Sequence, residues 1–193
     1  MKIQIIGYSG SGKSTLCKIL SKHYNIPLLY LDTVRFYGDW EERPNEEMTA
    51  IVDKFLNENS SWVIDGNYTG VSPNRFNDCD IIIYLNYNRF FCLTQVIKRY
   101  FKYRNTTRES ITCKEKIDWD FIKWVFYKGR TKERKQRHLN NFNKCSKTRL
   151  MFKSRRQLMK FLKKNNIEYK SIIKRGCTKI NLKALEKNNR RRV

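Results

Sequence analysis

The chain has 193 residues, a formal net charge of +23 and a hydrophobic share of 40%, with 11 Phe, 4 Trp and 11 Tyr. This length is typical of one α/β domain with a small insertion and a tail, and the apolar content argues against a wholly disordered chain. Residues 1–88 hold 8 Lys and Arg against 11 Asp and Glu, whereas residues 89–193 hold 33 against 7. A basic half of this kind attracts polyanions such as nucleotides or nucleic acid.

The apolar run at residues 3–6 ends at Gly7, and no stretch approaches the roughly 18 apolar residues of a membrane span. We therefore expect a cytoplasmic protein without a membrane segment, either a monomer or a homodimer. The six cysteines contain no C-x-x-C pair and lie in six different segments, which predicts reduced thiols and not a zinc site.

Strands alternate with helices along the first 164 residues. Apolar strands are predicted at residues 2–6, 28–31, 62–64, 81–85 and 149–152. Helices are predicted at residues 13–24, 45–56, 89–103, 118–128, 130–143 and 155–164. This alternation predicts a three-layer α/β/α sandwich around a parallel sheet, with ligands at the carboxyl ends of the strands. Residues 165–193 have no strong period and form a predicted basic C-terminal extension.

A glycine-rich turn follows the first predicted strand. Its sequence, Gly7-Tyr8-Ser9-Gly10-Ser11-Gly12-Lys13-Ser14, fits the phosphate-binding pattern G-x-x-x-x-G-K-[ST] without a mismatch. Glycines let the backbone wrap around phosphate oxygens, and the helix that begins near Lys13 adds the positive end of its dipole. Lys13 is predicted to contact the β- and γ-phosphates and to be catalytic, while the Ser14 hydroxyl is predicted to bind Mg²⁺.

The motif therefore predicts a P-loop NTPase fold that binds ATP and Mg²⁺. The predicted nucleotide-binding residues of the loop and its helix are Gly7, Ser9, Gly10, Ser11, Gly12, Lys13, Ser14 and Thr15. For Thr15, helix packing or capping is the favoured alternative.

Aspartates follow the second and third predicted strands. Asp65 can hold the water shell of Mg²⁺, and a turn cap is the alternative. Asp32 is a predicted catalytic residue that accepts the proton of an alcohol acceptor or orients it, whereas a phosphate acceptor needs no base. A structural turn carboxylate is the alternative for Asp32. Arg35 could pair with Asp32 or clamp an anionic acceptor.

Phosphoryl transfer depends on positioning and charge neutralisation, so we expect cations that close over the phosphates. Arg130, Arg134 and Arg137 share one face of a predicted helix because their spacing is four and three. The pattern predicts a short basic helical lid at about residues 105–137. Arg130 and Arg134 are its predicted catalytic residues, Arg99 is a predicted nucleotide contact, and a solvated helix face is the alternative.

These segments resemble a bacterial family, the DNA topology modulation proteins, which is adenylate-kinase-like within the P-loop kinases. The resemblance rests on residues 2–14, 31–32, 40 and 62–68, extends to 127–134 and 153–157, and covers about residues 1–164. It implies a kinase-like domain over residues 1–164, with a five-stranded parallel sheet of order 2-3-1-4-5 and a short lid.

Two further likenesses concern the acceptor. Val63-Ile64-Asp65-Gly66 is similar to the Asp-Gly element of nucleoside monophosphate kinases, although Asn67-Tyr68-Thr69 stands where Phe-Pro-Arg usually follows. Asp32 is similar in place to the acceptor-binding aspartate of shikimate and gluconate kinases. The family name refers to DNA supercoiling and defines no biochemical activity.

Two functions follow as hypotheses. The first is phosphotransfer from ATP to a small-molecule or nucleotide acceptor. The second is an ATP-dependent nucleic-acid-binding protein that modulates DNA topology, based on the basic half and on Arg190-Arg191-Arg192. The sequence contains no helix-turn-helix, zinc-finger or RNA-binding signature, so the predicted nucleic-acid binding is non-specific.

Overall fold

The computed structural model describes residues 1–37, 40–104, 109–111, 113 and 117–169. Five parallel strands form one sheet in the order β2-β3-β1-β4-β5, which confirms the predicted order. The strands are β1 Lys2–Gly7, β2 Leu28–Tyr30, β3 Trp62–Asp65, β4 Ile81–Leu85 and β5 Thr148–Phe152. The sheet is covered by helices, as the predicted three-layer α/β/α class requires.

Eight α-helices and one short 3₁₀ helix lie within the described ranges. The α-helices are α1 Lys13–Tyr24, α2 Leu31–Arg35, α3 Asn45–Glu58, α4 Arg75–Asp78, α5 Arg89–Tyr103, α6 Trp119–Phe126, α7 Lys132–Lys144 and α8 Arg155–Lys164. The 3₁₀ helix spans Lys128–Arg130. Sequence reasoning missed α2 and α4, since helices of five and four residues are too short to show a hydrophobic period.

The core lies on both faces of the central strands. All residues of β3 and β4 are buried, which explains their continuous apolar runs. Helix α1 packs against the sheet through a face that contains Leu16, Ile19 and Leu20, each at most 3% exposed. Burial of each such side chain stabilises the fold by about 1.5–3 kcal/mol before the entropy cost of ordering.

Other parts of the chain bear on the remaining sequence expectations. Within the described ranges, no helix combines the length and the apolar character that a bilayer crossing requires. The five described cysteines are buried free thiols. The proposed boundary at residue 164 stays a prediction. Ile167 is buried against the core, and residues 170–193 lie outside the described part of the chain.

Candidate functional site

The loop between β1 and α1 has a backbone shape that only glycine adopts without strain. Gly10 and Gly12 have φ values of 78° and 90°. A Cβ on Gly10 would collide with the carbonyl oxygen of Cys92 in α5, whereas Gly12 faces open space. Packing against α5 therefore fixes the middle of the loop, while its end stays open before the amino terminus of α1, where backbone N–H groups attract anions.

Asn67 fastens the base of the loop. Its side-chain oxygen accepts a hydrogen bond from the Gly7 N–H, and its amide nitrogen donates to the Gly7 carbonyl, both at 2.9 Å. Asn67 follows Asp65-Gly66 at the end of β3, so this clamp ties the loop to the neighbouring strand. Sequence reasoning missed this role, although the change from the usual Phe-Pro-Arg was a signal at this position.

Ser14 and Asp65, the two predicted Mg²⁺ ligands, lie side by side. The Ser14 hydroxyl donates to Asp65 Oδ2 at 2.6 Å, and Asp65 is only 5% exposed. Hydroxyl and carboxylate oxygens suit Mg²⁺, which usually takes one or two protein carboxylates and completes its shell with water and substrate phosphates. The donor pair fits that ion. Among the described residues, no group of three or more His, Cys, Asp and Glu side chains could hold a metal by itself.

Lys13 and Ser11 bring further polar atoms to the loop. Lys13 Nζ donates to the Tyr8 carbonyl at 3.2 Å. The Ser11 hydroxyl is buried and has no hydrogen-bond partner within the described ranges. All of the predicted loop residues from 9 to 15 line one cleft, while Gly7 lies at the end of β1 in the grip of Asn67.

The cleft has a volume of about 1120 Å³ and lies at the carboxyl ends of the strands. Pockets for one small ligand usually measure roughly 300–1,000 Å³, so this cleft is slightly larger than the upper end of that range. The central strand β1 carries the loop. Two groups of the other lining residues are distinguished by chain order: those from β2 to the segment after β3, and those of the segments that follow β4 and β5. The β2–β3 wall comprises Tyr30, Asp32, Arg35, Phe36, Trp40, Glu42 and residues 66–69. The β4–β5 wall comprises Tyr87, Phe91, Gln95, Arg99, Lys102, Arg134, Arg137, His138, Arg155 and Leu158.

Asp32 is exposed on the β2–β3 wall, where the Tyr68 hydroxyl donates to its Oδ1 at 2.8 Å. Burial, and then the charge of Asp32, raises the pKa of the Tyr68 phenol, so Tyr68 stays a proton donor at neutral pH. We expected Asp32 to end the second strand, but β2 ends at Tyr30. Asp32 lies in the first turn of α2, where the helix dipole favours a carboxylate.

Arg35 pairs with Glu42 and not with Asp32. It also donates to the Arg43 carbonyl at 2.8 Å and to the side-chain oxygen of Asn45 at 2.9 Å. These contacts hold the segment between α2 and α3, so the side chain serves the architecture of the β2–β3 wall.

Cations dominate the β4–β5 wall. The guanidinium of Arg134 lies 4.2 Å from the centroid of the Trp124 ring, and that of Arg155 lies 5.2 Å from the Tyr169 ring. Arg99 lies 6.0 Å from the Phe121 ring. Stacking on a ring orients a guanidinium and leaves its in-plane N–H groups directed outward, which suits phosphate oxygens.

Arg130 lies apart from these cations, which corrects the predicted shared helix face. Helix α7 begins only at Lys132, because the Thr131 side chain caps it by accepting from the Arg134 N–H at 3.3 Å. The Arg130 guanidinium lies 3.9 Å over the Tyr8 ring and donates to the carbonyls of Tyr87 at 2.9 Å and Val125 at 3.1 Å. Its catalytic role stays a prediction, whereas the observed contacts join the 3₁₀ helix to the loop.

His138 lies behind the loop and is only 8% exposed. Its ring centroid is 5.1 Å from that of Tyr8 and 5.7 Å from that of Tyr84. Burial, followed by the charges of Lys13 and the nearby arginines, lowers the pKa of His138 to about 4. The imidazole is therefore neutral at physiological pH. No spacing in the sequence indicated this position.

Arg75 is a fully buried cation beneath the segment that follows β3. Its guanidinium donates to one side-chain oxygen and four carbonyl oxygens, those of Gln4, Asn67, Tyr68, Val71 and Ser72. Burial lowers the pKa of Arg75 to about 10, so it remains charged at neutral pH. The same segment carries the Gly7 clamp and the partner of Asp32, so Arg75 is a positioning residue for both.

The predicted lid is described in part. Residues 105–108, 112 and 114–116 lie outside the described ranges. Cys113 is a described residue of this segment. Its sulfur accepts a hydrogen bond from the Trp40 N–H at 3.3 Å, and its thiol donates to the Tyr37 carbonyl at 3.4 Å. These contacts join the insertion to the β2–β3 wall.

No protein-family model and no curated protein matches the sequence. Solved structures match over most of the chain. Shikimate kinase from Bacteroides thetaiotaomicron is 14% identical, with a TM-score of 0.50 over 85% of this chain and 95% of that one. Shikimate kinase from Acinetobacter baumannii in complex with shikimate is 14% identical, with a TM-score of 0.49 over 86% and 95%. Deoxyadenosine kinase from M. mycoides is 16% identical, with a TM-score of 0.44 over 86% and 99%.

The sheet order and the first of these structures together show that the chain has the fold of the P-loop kinases. At 14% identity the likeness establishes the fold alone. Membership of the DNA topology modulation proteins stays a prediction.

Proposed function

We propose that the protein binds ATP with Mg²⁺ and transfers the γ-phosphoryl group to a small acceptor. The observation that carries this proposal is the contact of 2.6 Å between Ser14 and Asp65, directly beside Lys13. It joins the phosphate loop to a carboxylate from the neighbouring strand, where β1 and β3 pair Ile5 with Asp65. A glycine turn without a ligand has no need for such a carboxylate.

Each part of the site has a role in this reaction. The N–H groups of the loop and Lys13 hold the terminal phosphates, and the cations of the β4–β5 wall neutralise their charge during transfer. Ser14 and Asp65 would hold Mg²⁺, which supplies charge neutralisation when bound. An acceptor hydroxyl oxygen bonds to the γ-phosphorus as the bond to the bridging oxygen breaks and ADP leaves. Asp32 takes the hydroxyl proton.

Calorimetric titration with MgATP tests the proposal. We expect binding to the wild-type protein and roughly 10- to 150-fold weaker binding to Lys13→Ala, because a hydrogen bond to a charged group contributes about 1.5–3 kcal/mol. Lys22→Ala, an exposed change on the same helix, is the matched control and should bind normally. A folded wild-type protein that ignores millimolar MgATP would refute the proposal.

The nucleic-acid hypothesis rests on the charge of residues 89–193. Arg190-Arg191-Arg192 lies outside the described residues, whereas five cations of the same half line the cleft: Arg99, Lys102, Arg134, Arg137 and Arg155. This placement favours a phosphate-bearing small molecule as the ligand of those five side chains. DNA binding stays a prediction from composition.

A further inference from the structure

We infer that the acceptor is an uncharged compound that joins a flat ring to a free hydroxyl group, the chemistry of a nucleoside. A phosphomonoester or a carboxylate would not suit the same wall. This inference rests on the proposed phosphotransfer and adds the substrate class.

The acceptor side of the cleft follows from the sheet order. The loop after β1 holds the transferred phosphoryl group at the centre, and the basic β4–β5 wall attracts the polyphosphate of the donor. Because the attacking and leaving oxygens lie roughly in line through the phosphorus, the acceptor approaches from the other side. That side is the β2–β3 wall.

Charge on this side disfavours an anionic acceptor. Among the residues of the β2–β3 wall, Arg35 is the one cation, and it pairs with Glu42. With Asp32 added, two carboxylates stand against one cation on this wall. A phosphate or carboxylate group on the acceptor would meet net repulsion at this wall.

The Asp32–Tyr68 pair favours a hydroxyl donor. Tyr68 donates its proton to Oδ1 of Asp32 at 2.8 Å, which fixes the orientation of the carboxylate. An ionised carboxylate accepts hydrogen bonds and donates none, so the group that it orients must carry a proton. An alcohol has this proton, whereas a phosphate acceptor is largely ionised at neutral pH.

Aromatic side chains on the same wall favour a flat ring. Phe36 and Trp40 meet edge to face with centroids 5.2 Å apart, and Tyr30 and Tyr68 line the cleft beside them. Trp40 is 38% exposed and has a φ of 66°, a left-handed conformation that is unfavourable for a bulky residue. Strained residues cluster at ligand sites, and a partly exposed indole offers a face for stacking on a planar ring.

The test uses the full-length protein and begins with a titration of MgATP. The protein is then saturated with a non-hydrolysable ATP analogue and Mg²⁺ and titrated with adenosine, guanosine, cytidine and thymidine, with their 5′-monophosphates, and with shikimate. We expect at least one nucleoside to bind about tenfold or more tightly than its monophosphate. With MgATP in place of the analogue, the same nucleoside should raise ATP turnover.

Variants separate the two sides of the cleft. Asp32→Asn should lower kcat with the preferred nucleoside by about 100-fold and leave ATP affinity unchanged, because the base is lost. Tyr68→Phe should raise the nucleoside KM by roughly 2- to 10-fold through loss of one hydrogen bond. Tyr37→Phe is the matched control, since it removes a similar contact to Glu47, at 2.6 Å and outside the cleft.

The outcomes are distinct. If MgATP binds but the monophosphates or shikimate bind as tightly as the nucleosides, or no nucleoside binds, the acceptor inference is overturned and the proposed function stands. If MgATP itself does not bind, the proposed function fails and the inference falls with it.

Discussion

The two walls of the cleft differ in chemistry although they face the same loop. The β4–β5 wall presents arginine and lysine side chains, several of them stacked on rings, whereas the β2–β3 wall combines a carboxylate, paired charges and aromatic rings. The difference follows from chain order. Strands β2 and β3 belong to the acidic first 88 residues, and nearly all that follows β4 belongs to the basic remainder. An uneven charge along the sequence thus becomes an uneven charge across one cleft.

Removal of the arginines of α7 should have the largest effect on activity and tests the difference between the two walls. Arg134→Ala combined with Arg137→Ala should lower kcat by about 10³-fold, the lower end of the effect of one arginine that stabilises phosphoryl transfer. Nucleoside affinity should change little, because the residues of the β2–β3 wall are unchanged. Steady-state kinetics measure both values, and Lys132→Ala with Lys135→Ala on the exposed part of the same helix is the control. Equal losses in the two double variants would contradict the division of the walls.

A smaller effect should follow on the opposite side from a change of Arg75. Arg75→Leu should lower the free energy of unfolding by about 4 kcal/mol, since several buried carbonyl oxygens lose their donor at roughly 1–3 kcal/mol each. Arg149→Leu, at an exposed strand position, should cost less than about 0.5 kcal/mol.

Arg75→Lys sharpens the same comparison because it keeps the charge but cannot reach all five acceptors. In this variant we expect the nucleoside KM to rise more than the ATP KM, because the Tyr68 carbonyl loses its hydrogen bond from Arg75 and Tyr68 then holds Asp32 less firmly. A purely structural role would lower stability and leave the ratio of the two KM values unchanged. Urea unfolding and kinetics distinguish the two results.

The smallest effect concerns His138, the neutral member of the basic wall. Its pKa is about 4 in the folded protein and about 6.5 in an unfolded chain, so the unfolded state binds more protons between these values. Folding stability should therefore be complete above pH 6.5 and fall by about 3 kcal/mol as pH drops to 4.

Thermal unfolding across this range measures the loss, and His138→Gln should reduce its slope. His23, the other histidine, also has a pKa lowered by burial, so His23→Gln is the matched control. A larger change of slope in the control than in His138→Gln would show that the buried imidazole is not the main source.

The sequence predicted the parts of the molecule that depend on local order. The loop motif and the positions of Asp32 and Asp65 near the carboxyl ends of strands follow from spacings of a few residues, whereas the strand order was predicted from the resemblance to a known family. The missed contacts join residues far apart in the chain, such as Asn67 with Gly7 and Arg75 with Gln4. Periodicity describes neighbours on one element and carries no information about such pairs.

Arg130 illustrates the same limit at short range. A continuous helix would place it beside Arg134, but the helix break at Thr131 turns it towards Tyr8. From residue spacing alone, a threonine that caps a helix and is followed by polar residues cannot be distinguished from a threonine inside a helix. The direction of one side chain therefore depended on a boundary that differed by two residues.

The contact between Arg130 and Tyr8 restricts how α7 can move relative to the loop. The Arg130 guanidinium contacts the ring of Tyr8, the second residue of the loop, and also donates to the Tyr87 carbonyl. It therefore joins the loop to the residue pair that precedes α7. If α7 moved away from the cleft, either the backbone would have to bend at Thr131 or Arg130 would displace Tyr8 and change the shape of the loop. Unless the pivot lies at Thr131, a displacement of α7 and a change in the shape of the loop are therefore coupled through the contact between Arg130 and Tyr8.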